Sequence, residues 1–205
     1  MKTIDALLQH KIMGLVRTND QVTGEALAQA MVNAGIRAIE ITLTTPGALN
    51  IVEKLAANKD LTVGVGTVLT KKEVKASAKA GASFIVSPNT DEDVIDTTKD
   101  LKMVSMPGVA TATEVGVAIK AGADILKLFP ASTYGPSHLK ALRDPYPGKL
   151  WCPTGGISLG TVDDWFAAGA NLIGLGGPLT KGGIAKVKEN VVAFMDAVSA
   201  ANKVG

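Results

Sequence analysis

The 205-residue chain holds one cysteine, Cys152, and two histidines, His10 and His138. That excludes an internal disulfide framework, a thiolate zinc cluster and a His-rich metal site. Aromatic residues make up 4%, too few for base-stacking surfaces. Arginine is scarce as well: among 21 basic residues only Arg17, Arg37 and Arg143 are arginines. With 19 acidic residues the formal charge is +2, which lacks the electrostatic footprint of a nucleic-acid binder. No apolar run reaches the roughly 18 residues that a membrane span needs. The opening MKTIDALLQHKI is broken by Asp5 and His10 and lacks the apolar stretch of a signal peptide. These absences lead to the expectation of a soluble, cytoplasmic protein with no metal, nucleic acid or membrane partner.

What is there points to one well-packed domain over residues 1–205. Apolar residues make up 46% and charged residues 20%, and no linker, charge block or low-complexity segment divides the chain. Eight short apolar runs, rich in β-branched residues, recur along the chain. They are IMGLV from Ile12, RAIEIT from Arg37, LTVGVGT from Leu61, SFIVS from Ser83, KMVSM from Lys102, DILKLF from Asp124, KLWCP from Lys149 and NLIGLG from Asn171. Each is too short for an ordinary helix, and turn residues and then a helical pattern usually follow. Strands apolar throughout suit a parallel sheet covered by helices. An Ala-Gly pair followed by a strand occurs four times, at Gly35, Gly81, Gly122 and Gly169. The interval of about 40 to 50 residues is roughly two βα units. Eight such units predict an α/β fold, a compact (β/α)8 TIM barrel of one domain, with a doubly wound open sheet as the alternative.

In a barrel, chemistry gathers where strands run out into βα loops. Two residues near those ends break the apolar pattern. Glu40 interrupts Ala-Ile-Glu-Ile-Thr, and Lys127 interrupts Ile-Leu-Lys-Leu-Phe. A charge inside such a strand is costly to bury unless a partner or a site receives it. By the period of two, Glu40 shares a face with Ala38 and Thr42, and Lys127 with Ile125 and Phe129. They lie on the second and sixth runs, across the barrel from each other, close enough to meet near the axis. One reading is a buried structural ion pair. The other is a reactive amine beside an acid/base carboxylate. A lysine among apolar neighbours can attack a carbonyl and form a Schiff base, whose iminium acts as an electron sink. Glu40 would then move the protons.

Glycine is the third signal. CPTGGIS ends the seventh run and GLGGPLTKGG ends the eighth. Backbone N–H groups at Gly155, Gly156, Gly176 and Gly177 could cradle a substrate anion such as phosphate, or these could be ordinary tight turns. GVGTVL from Gly64 lacks the spacing of a dinucleotide loop and reads as a strand end that aims Thr67 into the site. Cys152 reads as core, Trp165 as packing, His10 as part of an N-terminal helix and His138 as a helix-surface residue. Asp163 and Asp164 read as first-turn acids of a helix.

AIEITLTTP around Glu40, VGVGTVL around Thr67, IVSPN at Pro88, MPGVATATE from Met106, ADILKLFPAS around Lys127 and CPTGGIS from Cys152 together carry a resemblance. The chain resembles the bacterial 2-keto-3-deoxy-6-phosphogluconate and 4-hydroxy-2-oxoglutarate aldolases over nearly its whole length. These are class I aldolases of the (β/α)8 fold. The resemblance implies Lys127 as the Schiff-base lysine and Glu40 as the general acid/base. It implies contacts from Thr67 and the backbone near Pro88 to bound pyruvate, Phe129 in the pocket wall, and Gly155, Gly156, Gly176 and Gly177 at the phosphate end. It further implies a homotrimer that needs no metal and no cofactor.

Two departures bear on the substrate. Gluconate-type members often carry an arginine four residues after the glutamate, where this chain has Thr44. Galactonate-type members instead carry one at the end of strand one, which Arg17 matches, making Arg17 the expected carboxylate anchor. Members also usually offer a serine in the last loop, where this chain has Gly176-Gly177-Pro178, so a weaker phosphate grip or an unphosphorylated substrate is expected. The expected reaction is reversible cleavage of 2-keto-3-deoxy-6-phosphogluconate to pyruvate and glyceraldehyde 3-phosphate, or of 4-hydroxy-2-oxoglutarate to pyruvate and glyoxylate. The alternatives are a 2-keto-3-deoxy-6-phosphogalactonate aldolase, a phosphate-binding barrel isomerase or synthase, and a non-catalytic keto-acid-binding barrel.

Overall fold

A computed structural model describes residues 2–201. The strands are β1 (Ile12–Val16), β2 (Ala38–Thr42), β3 (Thr62–Gly66), β4 (Phe84–Val86), β5 (Val104–Met106), β6 (Gly108–Val109), β7 (Ile125–Leu128), β8 (Leu150–Trp151) and β9 (Ile173–Leu175). The α-helices are α1 (Thr3–His10), α2 (Gln21–Asn33), α3 (Ala48–Ala56), α4 (Lys71–Lys79), α5 (Glu92–Asp100), α6 (Ala112–Lys120), α7 (Ala131–Arg143), α8 (Val162–Ala167), α9 (Gly177–Thr180) and α10 (Val187–Ala201). Every apolar run read from the sequence contains a strand.

Local chemistry sets the helix starts. Asp20, Thr70, Asp91 and Thr111 stand just before α2, α4, α5 and α6, and each side chain accepts a hydrogen bond from an amide in the first turn. At α6 the cap is reciprocal: Glu114 N–H donates to Thr111 Oγ1 at 3.3 Å, and Thr111 N–H donates to Glu114 Oε2 at 2.8 Å. Replacing Thr111 with Ala should cost about 1 kcal/mol and lower the melting temperature by about 2–4 °C in a calorimetric scan. The four repeat glycines all take positive φ just past a helix end, between 88° at Gly122 and 114° at Gly35, as the alternation of helix and strand requires.

Strand pairing is parallel throughout, in a six-stranded sheet ordered β5-β4-β3-β2-β1-β9 and a three-stranded one ordered β6-β7-β8. The fifth apolar run holds one strand, β5, as expected. Beyond it the chain adds the short β6, outside the runs read from the sequence, separated from β5 by Pro107, which has no N–H to give to a ladder. Its carbonyl still accepts from Lys127 N–H at 2.9 Å, and Ser105 O accepts from Asp124 N–H at 3.0 Å. At the other ends of the two sheets Thr154 bridges to Gly174, whose N–H donates to Pro153 O at 3.0 Å.

The period of two sorts the strand side chains into two layers. Ile39, Ile41, Ile85, Leu126 and Leu128 join the larger core shared with the helices. Met13, Ala38, Phe84, Val86, Ile125 and Cys152 form a second cluster with Leu7 of α1, against which Ile4 and Leu8 also pack. Helix α1 therefore stops one end of this inner layer. Glu40 and Lys127 alternate onto the same inner face as Ala38 and Ile125, toward the other end.

Candidate active site

Glu40 sits in the middle of β2, where Leu15 and Gly64 flank it in register. It is 1% exposed, and neither carboxylate oxygen has a hydrogen-bond partner. Burial pushes its carboxyl above the usual range, while the charges of Lys127 and Arg17 pull the other way. A carboxyl so placed holds a proton more readily near neutral pH, which suits proton shuttling. Room for it comes from the next strand. A Cβ on Gly66 would overlap the Glu40 carboxyl. Gly66→Ala should therefore displace the carboxylate and lower turnover by about 10²-fold while the circular dichroism spectrum stays native. Initial-rate assays would check this.

Lys127 lies on β7 opposite Gly108 and is 5% exposed. Its Nζ stands 4.7 Å from the centroid of the Phe129 ring. Both side chains line a cavity of about 350 Å³. The wall also includes Leu15, Arg17, Thr154, Gly155 and Gly156, and closes with Gly174, Gly176, Gly177, Pro178 and Thr180. The ends of β1, β7, β8 and β9 thus supply it. Phe129 also lies against Gly155, and Ser132 fills the space over Gly156, so a side chain at Gly156 would collide with Ser132. Gly177 opens the short helix α9 at the last glycine loop.

The remaining expected residues lie around this cavity, not in its wall. Thr67 follows β3 with φ of 58°, a left-handed conformation unusual for a β-branched residue. Its Oγ1 accepts from Arg17 Nη2 at 3.2 Å, which ties the ends of β1 and β3. Pro88 lies two residues past β4, and its carbonyl lies against the Cα of Gly108, the residue paired with Lys127.

Cys152 is fully buried, its Sγ 3.6 Å from Thr154 Oγ1, and burial pushes the thiol up to about 12. A neutral thiol is no nucleophile, so the core reading holds. His138 is more than a surface residue: its ring nitrogen Nε2 bonds Ala110 O at 2.7 Å, and the ring stacks on Tyr134. Among the described residues, no group of three or more His, Cys, Asp or Glu side chains is arranged to hold a metal ion. No helix among them is long and apolar enough to cross a membrane.

Leu15, Gly174 and Thr180 were not singled out from the sequence. Leu15 could have been: it follows Met13 by two, on the inward face of β1. Thr180 reaches the wall only because α9 turns it back, which its spacing does not announce.

The chain is similar to 2-dehydro-3-deoxy-phosphogluconate aldolase of Pseudomonas aeruginosa, 36% identical over 177 residues, 85% of this chain and 80% of that protein. It is equally similar to 2-dehydro-3-deoxy-6-phosphogalactonate aldolase of Escherichia coli, 36% identical over 181 residues, 84% of this chain and 88% of that one. Among solved structures it superposes on a KDPG aldolase from Legionella pneumophila with pyruvate captured as a covalent carbinolamine intermediate. That match has a TM-score of 0.80 and 25% identity, and covers 98% of each chain. The sequence model of the family described as KDPG and KHG aldolase matches residues 4–195. The chain belongs to the KDPG and KHG aldolase family.

Proposed function

We propose that the protein is a class I aldolase that reversibly cleaves 2-keto-4-hydroxy acids, with Lys127 as the Schiff-base lysine and Glu40 as the general acid/base. The observation that carries this reading is a buried lysine and a buried, unpartnered carboxylate on one inner face, the lysine in the wall of a cavity. The Nζ lone pair adds to the C2 ketone, and the carbinolamine loses water to give an iminium. Glu40 takes the proton of the C4 hydroxyl. The C3–C4 bond breaks, its electrons pass to the iminium, and an aldehyde leaves behind the enamine of pyruvate. Protonation at C3 and hydrolysis release pyruvate and restore the amine.

Arg17 anchors the substrate carboxylate in this reading, with Thr67 beside it and the Pro88 backbone framing the pyruvate end. Phe129 covers the imine. Gly155, Gly156, Gly176 and Gly177 receive the far end of the substrate. The two sheets are read as one (β/α)8 barrel, supported by the bonds at Pro153–Gly174 and at Ser105–Asp124. The relatives' names support 2-keto-3-deoxy-6-phosphogluconate as a substrate. The arginine at the end of β1 favours the galactonate epimer as a second one. A cytoplasmic homotrimer without cofactor completes the proposal, and light scattering after gel filtration tests the trimer.

Borohydride reduction in the presence of pyruvate, followed by peptide mass spectrometry, tests the chemistry. A reduced pyruvyl adduct on the peptide carrying Lys127 is expected. Folded protein that binds pyruvate without such an adduct would overturn it in favour of a non-covalent keto-acid binder.

A further inference from the structure

Arg17 lines the cavity with an exposed side chain, yet the backbone beneath it is held on both sides. Thr42 Oγ1 donates to Val16 O, the carbonyl just before Arg17, at 3.2 Å. Thr45 Oγ1 accepts from Thr18 N–H, the amide just after Arg17, at 3.2 Å. The two hydroxyls stand 3.3 Å apart, and Thr44 Oγ1 lies 3.0 Å from Thr42 Oγ1. Thr42 is 0% and Thr45 1% exposed.

These contacts settle who donates. A threonine hydroxyl has one hydrogen. Thr42 spends its hydrogen on Val16 O, so it must accept from Thr45. The result is one directed chain: Thr18 N–H to Thr45 O–H to Thr42 O–H to Val16 C=O. It starts on one peptide group beside Arg17 and ends on the other. Bonds linked head to tail polarise each other, and burial shields them from water. Below the chain, Gly24 of α2 approaches so closely that a Cβ there would lie 3.0 Å from Thr18 Oγ1, Thr45 Cγ2 and Ile51 Cδ1. The clamp thus has a packed floor.

We infer that Thr45, acting with Thr42, is a positioning residue that fixes the Arg17 backbone and so sets recognition of the substrate carboxylate. The inference rests on the reading of Arg17 as the carboxylate anchor. Among the described residues one hydrogen bond reaches the guanidinium, to Thr67, exposed and 3.2 Å long. Most of its orientation must therefore come from the root. Removing the Thr45 hydroxyl leaves Thr18 N–H without its acceptor and lets the root relax, although Thr45 itself touches no substrate.

The test compares imine trapping by borohydride with pyruvate, which carries a carboxylate, and with hydroxyacetone, which does not. Wild type should discriminate strongly in favour of pyruvate. Thr45→Val should raise the pyruvate concentration for half-maximal trapping by about tenfold or more, with little change for hydroxyacetone. Thr45→Ser, which restores the hydroxyl, should recover discrimination. The double variant Arg17→Ala/Thr45→Val should be no worse than Arg17→Ala alone, because both act through one contact. If Thr45→Val does not fold, Thr45→Ala is read the same way against Thr45→Ser. Retained discrimination in the hydroxyl-less variant, or equal losses on both ketones, would overturn the role of Thr45. Failure of the underlying reading looks different: Arg17→Ala would itself keep the discrimination, or wild type would trap neither ketone.

Discussion

Lys127→Ala should lose aldol cleavage by about 10⁴-fold or more and lose borohydride-dependent inactivation altogether, while its melting curve stays cooperative. The size of the effect follows from what the amine does. Without a covalent electron sink, breaking a C–C bond next to a ketone has no route that the remaining groups supply. The fold should survive because the change removes a buried charge together with its stem. The space lost borders an open cavity, so no sealed void is made. Unchanged turnover in this variant would end the aldolase reading. Retained pyruvate binding with lost turnover is expected if, as proposed, Arg17 and Thr67 hold the carboxylate.

Glu40→Gln should act in two opposite directions. Turnover should fall by about 10²–10⁴-fold, since the amide keeps the shape but can neither accept nor return a proton. Stability should rise. In the native state burial raises the carboxyl above its ordinary 4.5, so the folded protein holds this proton more tightly than the unfolded chain. The stability linked to that proton is complete below pH 4.5 and is lost as pH rises through the native value. Wild type therefore carries a penalty at neutral and alkaline pH that the neutral amide avoids. Melting temperatures at pH 8 should favour Glu40→Gln by about 2–4 °C for each kcal/mol of relief, and the gap should close toward pH 4. A gap that persists unchanged at pH 4 would mean that packing, not ionisation, separates the two proteins.

Glu40 and Lys127 were legible in the sequence because each breaks an apolar run, and the period of two put them on one face. The repeat glycines were legible because each falls between a helical pattern and the next strand run. Other features depend on distant partners and leave no local trace. Thr67 reads as an ordinary strand end, and its left-handed backbone shows only beside Arg17. Thr42 and Thr45 look like β-formers in TLTTP, yet their hydroxyls bond the backbone at the end of β1, 26 to 27 residues earlier in the chain. His138 looked solvated because its partner, Ala110 O, lies 28 residues away. Pro107 was visible, but its effect on pairing depends on which neighbour needs the missing N–H. Periodicity finds the faces; it does not find the bonds that cross between elements.

The stopper formed by α1 has a kinetic meaning. Leu7 packs into one end of the inner layer, so in the proposed reading reactants and products pass through the opposite side, where the cavity lies. In the proposed mechanism pyruvate stays attached through the Lys127 nitrogen while the aldehyde is already free. On that mechanism release is expected in sequence: aldehyde first, pyruvate last. In the synthetic direction the queue reverses, and pyruvate must enter before any aldehyde. Product-inhibition patterns should show this ordering, with pyruvate competing directly against the keto acid for the empty enzyme and the aldehyde doing so only in mixed fashion.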